Sequence, residues 1–242
     1  MQGIYESRIN KLKELLSLYK TEGVLYKRFG SPNDGGYVLV DDLSKDDFVI
    51  SCGIDNNIDW EKDVSPFVSG INAYDNSIQQ MPEKIEGCEF YNKTISQDVF
   101  ISDLVQQARN DKDLILKVDI EGAEWNLFSE SDDLSMFRQI VVELHGFIHG
   151  IQDGKLFNKM VNALSNLNKD HFPVFIHGNN YSQHVDIFGN KIAQVAEILF
   201  LRKVDYPHSK GIMNFGALLS ANCPCGCPQA IMEFANNDTG DI

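Results

Sequence analysis

The stretch LILKVDIEGAEWNLF, Leu114 to Phe128, opens as an apolar run broken only by Lys117 and then places Asp119, Glu121 and Glu124 in quick succession. A short apolar run of this kind reads as a buried strand. Carboxylates are costly to keep out of water, so a cluster of them at the end of such a strand needs a reason. One reading places them in the first turn of a helix, where free N–H groups and the helix dipole favour negative charge. The other reading is that the strand delivers acids into a working cleft.

The flanking chain decides which fold carries this strand. Ile9, Leu12, Leu15, Leu16 and Tyr19 recur at helical spacing, so the sequence predicts an amphipathic helix over residues 5–20. Two apolar runs flank the turn-rich SPNDGG, predicting a hairpin or strand–loop–strand. Then strand and helix patterns alternate. DFVIS, INAYD, CEFYN, LILKVD, QIVVELH, FPVFIH and AEILFLRK read as strands, and DWEKDVSPFVS, ISDLVQQARN, GAEWNLF and GKLFNKMVNALSNLN as helices. Helix DWEKDVSPFVS is expected to run to about Gly70, and ISDLVQQARN to start at a Ser102 or Asp103 cap. Such alternation implies right-handed crossovers and an α/β fold with a mainly parallel sheet covered on both faces.

The totals set limits. With 242 residues, 43% of them hydrophobic, the chain suits one large domain with added arms. The organisation read here is an N-terminal helix at 1–22, an enzymatic domain at 23–205 and a C-terminal extension at 206–242. No apolar run is long enough to span a membrane, and the charged N-terminus lacks a signal-peptide core, which together predict a cytoplasmic protein. A net charge of −14 disfavours nucleic acid as a partner. Cys52 and Cys88 are isolated and expected to be reduced. The CPCGC near the C-terminus lacks the paired knuckles of a zinc site and reads as part of a loose tail.

In an open α/β sheet, ligands bind beyond the carboxyl ends of the strands. Those ends hold Gly53 and Asp55 after DFVIS, Asp75 after INAY, Asp119 and Glu121 after LILKV, Glu143 and His145 in VVELHG, and His177 in FIHGNN. Taken singly, Asp75 is an ordinary turn acid and each histidine an ordinary hydrogen-bonded strand end. Taken together on one edge they predict a site. Asp75 lies 22 residues past Gly53, a spacing at which an acid can hold a ribose diol. The turn offers one glycine where a dinucleotide fold uses three, and Asp55 would face a pyrophosphate unfavourably. S-Adenosylmethionine, with a ribose, no phosphate and a positive sulfonium, suits these acids better.

The segments LKVDIEGAEW, RFGSPNDGGYVLVDD, VISCGIDNNIDWEKDV, INAYDNSI and VVELHGF resemble the successive motifs of FkbM-type methyltransferases, a branch of the class I S-adenosylmethionine-dependent fold. The resemblance covers residues 28–203. It implies a Rossmann-like sheet, with Gly53 at the cofactor turn, Asp75 at the ribose, and the hairpin packing over the cofactor with Phe29 or Tyr37 near the adenosyl group. On this reading the cofactor-binding set is Phe29, Gly36, Tyr37, Gly53, Asp55, Asp75, Asn76, Ser96 and Asp119. The family is similar to sugar and polyketide O-methyltransferases, so the implied acceptor is a hydroxyl of a sugar or glycan.

A hydroxyl needs a base or a metal to act as a nucleophile at neutral pH. His145, His177 and Asp119 are the candidate catalytic residues. Asp119, Glu143 and His145 also form an oxygen-and-nitrogen set suited to Mg²⁺ or Mn²⁺. Glu121 and Glu124 could be only dipole partners, and for Glu124 this is the favoured reading. HGNNYSQH, rich in amides and with a tyrosine, reads as a loop for sugar hydroxyls. Two other functions stay open: an NAD-dependent oxidoreductase on the same sheet, and a non-catalytic glycan-binding module of methyltransferase fold. The oligomeric state is left open.

Overall fold

The computed structural model describes residues 2–108, 113–131, 133–179, 181–213 and 215. The CPCGC segment lies outside the described residues. The elements in chain order are α1 Gln2–Leu15, β1 Tyr19–Thr21, β2 Tyr26–Gly30, β3 Gly36–Val40, β4 Asp47–Cys52, α2 Asp59–Val64, β5 Ile71–Tyr74, β6 Cys88–Tyr91, α3 Ile101–Gln107 and β7 Asp113–Val118. They continue with α4 Glu124–Ser129, β8 Phe137–His145, α5 Phe147–Gln152, α6 Gly154–Asp170, β9 His171–Gly178, β10 His184–Ile187, β11 Asn190–Ala193, β12 Val195–Arg202 and β13 His208–Lys210.

Seven strands form the central sheet in the order β6-β5-β4-β7-β8-β12-β9. The pairs from β6 through β8 are parallel, and β12 runs antiparallel between β8 and β9. The chain leaves β4 in one direction to build β5 and β6, then returns to the other side of β4 for β7. Strand order therefore reverses between β4 and β7, and a crevice opens beyond their carboxyl ends.

Both faces of the sheet are covered. On one face Leu116, Val118, Val142 and Ile198 meet Ile9 and Leu12 of α1, Trp125 and Phe128 of α4, and Met160 and Leu164 of α6. On the other, Val49, Ile115, Val141 and Leu199 meet Phe29, Val38 and Val40 of the β2–β3 hairpin and Trp60 and Val64 of α2. This two-sided burial is why the strands read as continuous apolar runs. The start of α6 is fixed by Asp153, whose carboxylate accepts from the amides of Lys155 and Leu156.

Local details differ from the sequence reading. Helix α1 stops at Leu15, and Tyr19–Thr21 instead pairs with His208–Lys210. Residues assigned to two separate terminal segments are thus hydrogen-bonded neighbours. Helix α2 ends at Val64, shortly before Pro66, whose nitrogen has no hydrogen to continue the ladder. Helix α3 begins at Ile101. Asp103 does not start it but accepts the Phe100 amide at 2.9 Å from its third position. No helix among the described residues is long and apolar enough to cross a membrane.

Candidate functional site

The turn after β4 is the foundation of the site. Gly53 has φ +80, and a Cβ there would lie 1.6 Å from the Asp119 carbonyl oxygen. Only glycine combines that backbone with so close an approach. The Gly53 amide donates to the Tyr74 carbonyl at 2.8 Å, and the Asp119 amide to the Cys52 carbonyl at 2.8 Å. The Lys117 ammonium donates to the Gly53 carbonyl. It lies 3.7 Å from Glu61 Oε1, a fully buried carboxylate that also accepts from the Ser51 hydroxyl at 2.6 Å. The one charge in the apolar run of β7 thus pins the neighbouring turn.

Asp75 reinforces the turn from β5. Its Oδ2 accepts from the amides of Ile54 at 2.9 Å and Asp55 at 2.8 Å; its Oδ1 accepts from the Ser77 amide and hydroxyl, both at 2.6 Å. Burial pushes its carboxyl up, but these four hydrogen bonds outweigh burial and hold it below the usual carboxylate range. All four acceptor positions of Asp75 are filled by the protein. A ribose hydroxyl could reach it only by displacing Ser77 or by sharing an acceptor.

A cavity of about 570 Å³ lies over this turn, at the β4–β7 switch point and within the size range of small-molecule sites. Of the residues expected at the cofactor, Tyr37, Gly53, Asp55, Asp75, Asn76 and Asp119 line it. Asp34, Tyr74, Lys93, Thr94, Lys117 and Glu121 line it as well. Phe29, Gly36 and Ser96 do not. Phe29 packs into the core beneath the hairpin, edge-on to Phe67. Gly36 sits in the hairpin, where a Cβ would meet the Ser31 carbonyl. Ser96 lies between two lining residues, Ile95 and Gln97, with its amide on the Val99 carbonyl.

The ionisable groups past β7 and β8 fall into two clusters. In the first, the Tyr37 hydroxyl stands 2.7 Å from Asp119 Oδ2 and 3.2 Å from Glu143 Oε2, while Asn179 Nδ2 donates to Glu143 Oε1 at 2.8 Å. Burial, then Asp119 and Glu197, push the Glu143 carboxyl well above the usual range. In the second, Glu124 is fully buried, and its Oε1 accepts from the amides of Ile120 and Gly122 and lies 3.1 Å from His145 Nδ1. Burial opposes charge on His145, but the hydrogen bond and charge of Glu124, with Glu143 and Asp119, outweigh it and push the imidazole up to about 9. A protonated imidazole has no lone pair for a proton, so a value raised in this way counts against His145 as a base at neutral pH. This bears on its expected part as the base.

His177 is buried two strands from β8, 3.8 Å from Glu197 and outside the cavity lining. Of the residues expected at a metal, Glu143 is turned to Tyr37 and Asn179. The groups that do approach one another, within 4.8 Å, are Asp119, Glu124 and His145. A divalent ion there would have to displace the His145 proton and compete with the two amides on Glu124. Cys52 and Cys88 are free, and burial pushes both thiols up to about 12.

Sequence reading missed Lys117, Glu124 and Asn179. A cation inside an apolar strand must be paired, so Lys117 carried a signal. Glu124 looked like a helix-start acid, and only the approach of β8 gives it His145. Asn179 sits in the expected sugar loop, but its contact with Glu143 is made across a strand.

Residues 36–171 match the Methyltransferase FkbM domain. No curated protein matches the chain. Solved structures similar to it include an rRNA methylase from Streptococcus thermophilus, at 10% identity and TM-score 0.40 over 66% of this chain and 89% of that one. A precorrin-6y C5,15-methyltransferase from Geobacter metallireducens matches at 10% identity and TM-score 0.39, over 67% and 84%. A Streptococcus mutans protein solved in complex with SAH matches at 9% and 0.36, over 66% and 88%. With more than half its length matched to that domain, and the seven-stranded sheet of a Rossmann-like class I methyltransferase beneath it, the chain belongs to the S-adenosylmethionine-dependent FkbM methyltransferase family.

Proposed function

We propose that this methyltransferase acts on a hydroxyl of a sugar in a glycan or polysaccharide, with Asp119 as the general base. The observation that carries the reading is the position of Asp119. It ends β7 at the switch point, lines the cavity, touches the glycine turn through its backbone, and receives a hydrogen bond from Tyr37. S-Adenosylmethionine, when bound, supplies a methyl group on a positive sulfur. The cavity suits it: Asp34, Asp55, Asp75, Asp119 and Glu121 line the wall, and the bare Cα of Gly53 allows close approach.

The chain's own residues would then act in three ways. Asp75 and Lys117 hold the glycine turn rigid, which keeps donor and acceptor aligned for in-line displacement. Asp119 takes the proton of the acceptor hydroxyl as oxygen attacks. His145, charged and anchored to Glu124, balances the acids around it. Of the three candidates His145, His177 and Asp119, this reading gives the base role to Asp119. An acidic surface and a loop bearing Asn179, Tyr181 and Ser182 support a neutral, hydroxyl-rich acceptor over a phosphate backbone.

The test has two parts. Melting curves with S-adenosylhomocysteine, S-adenosylmethionine and NAD should show stabilisation by the first two only, since a ligand of the native state raises the midpoint by mass action. Isotope-labelled methyl from S-adenosylmethionine should then appear on oligosaccharides and not on RNA, and persist in EDTA. Label on RNA alone would overturn the sugar assignment, stabilisation by NAD alone the cofactor, and loss of transfer in EDTA restored by Mg²⁺ or Mn²⁺ the metal-free mechanism.

A further inference from the structure

The loop between β2 and β3, SPNDG at 31–35, supplies one wall of the cavity through Asp34 and Gly35. A turn-rich loop of this composition has little rigidity of its own. A loop that orders only when a ligand arrives weakens binding by the entropy it then loses. The contacts that hold this wall in place beforehand therefore bear on cofactor affinity.

Arg28 of β2 makes the firmest of them. Its Nε donates to the Ser31 carbonyl at 3.2 Å, its Nη2 donates to the Asn33 carbonyl at 2.8 Å, and its Nη1 lies 3.5 Å from Glu197 Oε2. Gly36 leaves room for the guanidinium, since a Cβ there would stand 3.0 Å from both Nε and Nη2. The planar fork of an arginine can address two carbonyls and a carboxylate at once, which the single ammonium of a lysine cannot.

Glu197 is the fixed end of this arrangement. It is 2% exposed on β12, between β8 and β9 in the sheet. Arg28 Nη1 and Glu197 Oε2 are both buried and make no hydrogen bond among the described residues, so the ion pair is what compensates each charge there. His177 Nδ1 approaches the same oxygen at 3.8 Å. The loop has other contacts. The Gly30 amide donates to Asp63 of α2 at 2.8 Å, before the loop begins. Asn57 Nδ2 donates to the Asp34 carbonyl at 3.4 Å and Asn179 Nδ2 to Asp34 Oδ1 at 3.3 Å. Both contacts at Asp34 are long, which leaves Arg28 on the neighbouring Asn33 carbonyl as the short one.

We propose that Arg28, anchored on Glu197, is a positioning residue for cofactor binding and acts through Asp34. It holds the 31–35 loop so that the Asp34 carboxylate stands in the cavity wall as a partner for the cationic groups of S-adenosylmethionine, the ammonium of its amino-acid end and the sulfonium. Arg28 is outside the cavity lining, so it has no contact of its own to offer the ligand.

The proposal rests on the cavity being the cofactor site and not on the nature of the acceptor. It is tested by calorimetry of the full chain with S-adenosylhomocysteine, which keeps the ammonium. Asp34 is exposed, and Asp34→Ala should weaken binding about fivefold, the worth of an exposed ion pair. Arg28→Lys keeps a positive charge for Glu197 but gives up the fork, and should weaken binding to the same degree. The double variant should bind no more weakly than the weaker single one, because both changes remove the same contact. Full affinity in either single variant overturns the proposal, even where the melting point of Arg28→Lys falls, since that outcome makes Arg28 a structural anchor alone. Losses that multiply in the double variant overturn it too. A wild type that binds no S-adenosylhomocysteine fells the cofactor reading and the proposal together. Coupled losses without label on any sugar sustain the proposal and fell only the sugar reading.

Discussion

Two side chains show how environment decides chemistry at the scale of a residue. His145 ends a strand at the cleft and on sequence alone reads as a base, because an ordinary imidazole titrates near the working pH. In the fold, burial opposes its charge but the hydrogen bond and charge of Glu124 outweigh burial and push it up to about 9. We expect NMR of the His145 ring to give a midpoint near 9 and Glu124→Gln to lower it. The sign for stability follows. A raised imidazole value contributes stability that is full below the unfolded value of about 6.5 and is lost as pH rises through 9. Wild type should lose melting temperature over that interval, and His145→Gln should flatten the loss. Tyr37 carries the second prediction. Tyr37→Phe deletes the hydroxyl that donates to Asp119 Oδ2 and so removes what orients that carboxylate towards the acceptor. kcat for methyl transfer should fall about tenfold, the equivalent of ~1.4 kcal/mol, while calorimetric affinity for S-adenosylhomocysteine is kept. An unchanged kcat would remove the Tyr37–Asp119 contact from the reaction.

At the scale of an element, the turn after β4 is where strand, cavity and acid meet. Gly53→Ala should destabilise the fold and abolish the binding of S-adenosylhomocysteine in calorimetry. The left-handed backbone costs about 1–2 kcal/mol with a side chain, and the clash with the Asp119 carbonyl forces the two strand ends apart. Gly87→Ala is the control. It has φ +75 but open space around a Cβ, so it should cost about 1 kcal/mol and leave binding intact. Equal effects of the two would mean that backbone strain, and not the approach of β7, sets the glycine requirement. The spacing of Gly53 and Asp75 made this element legible in sequence. Spacing did not show that Asp75 also accepts from amides of the turn it faces and from Ser77.

At the scale of the molecule, the two edges of the sheet do different work. The carboxyl edge holds the cavity. At the amino edge, Arg138 is buried with Nε and Nη2 on Asp47 at 2.5 and 2.8 Å, Nη1 on Asp42 at 2.8 Å, and the Tyr206 hydroxyl at 2.6 Å. Arg138→Ala leaves Asp47 buried without its cation, and breaking such a pair costs about 3–5 kcal/mol. We expect a large drop in melting temperature and, in the folded fraction, unchanged S-adenosylhomocysteine affinity. Weakened affinity would show that the edges are coupled. The same division separates what could be read from the chain. Alternating strand and helix patterns, buried runs and a glycine between acids are local properties, fixed by period and residue chemistry, and they determined the fold class, the strand ends and the edge that holds the site. The pairing of Tyr19–Thr21 with His208–Lys210, the ion pair of Arg138 with Asp47, the partner of His145 and the shared hydroxyl of Tyr37 join residues far apart in sequence. Only tertiary structure decided them, because the charge state of a buried group depends on which strand folds against it, and no spacing along the chain records that.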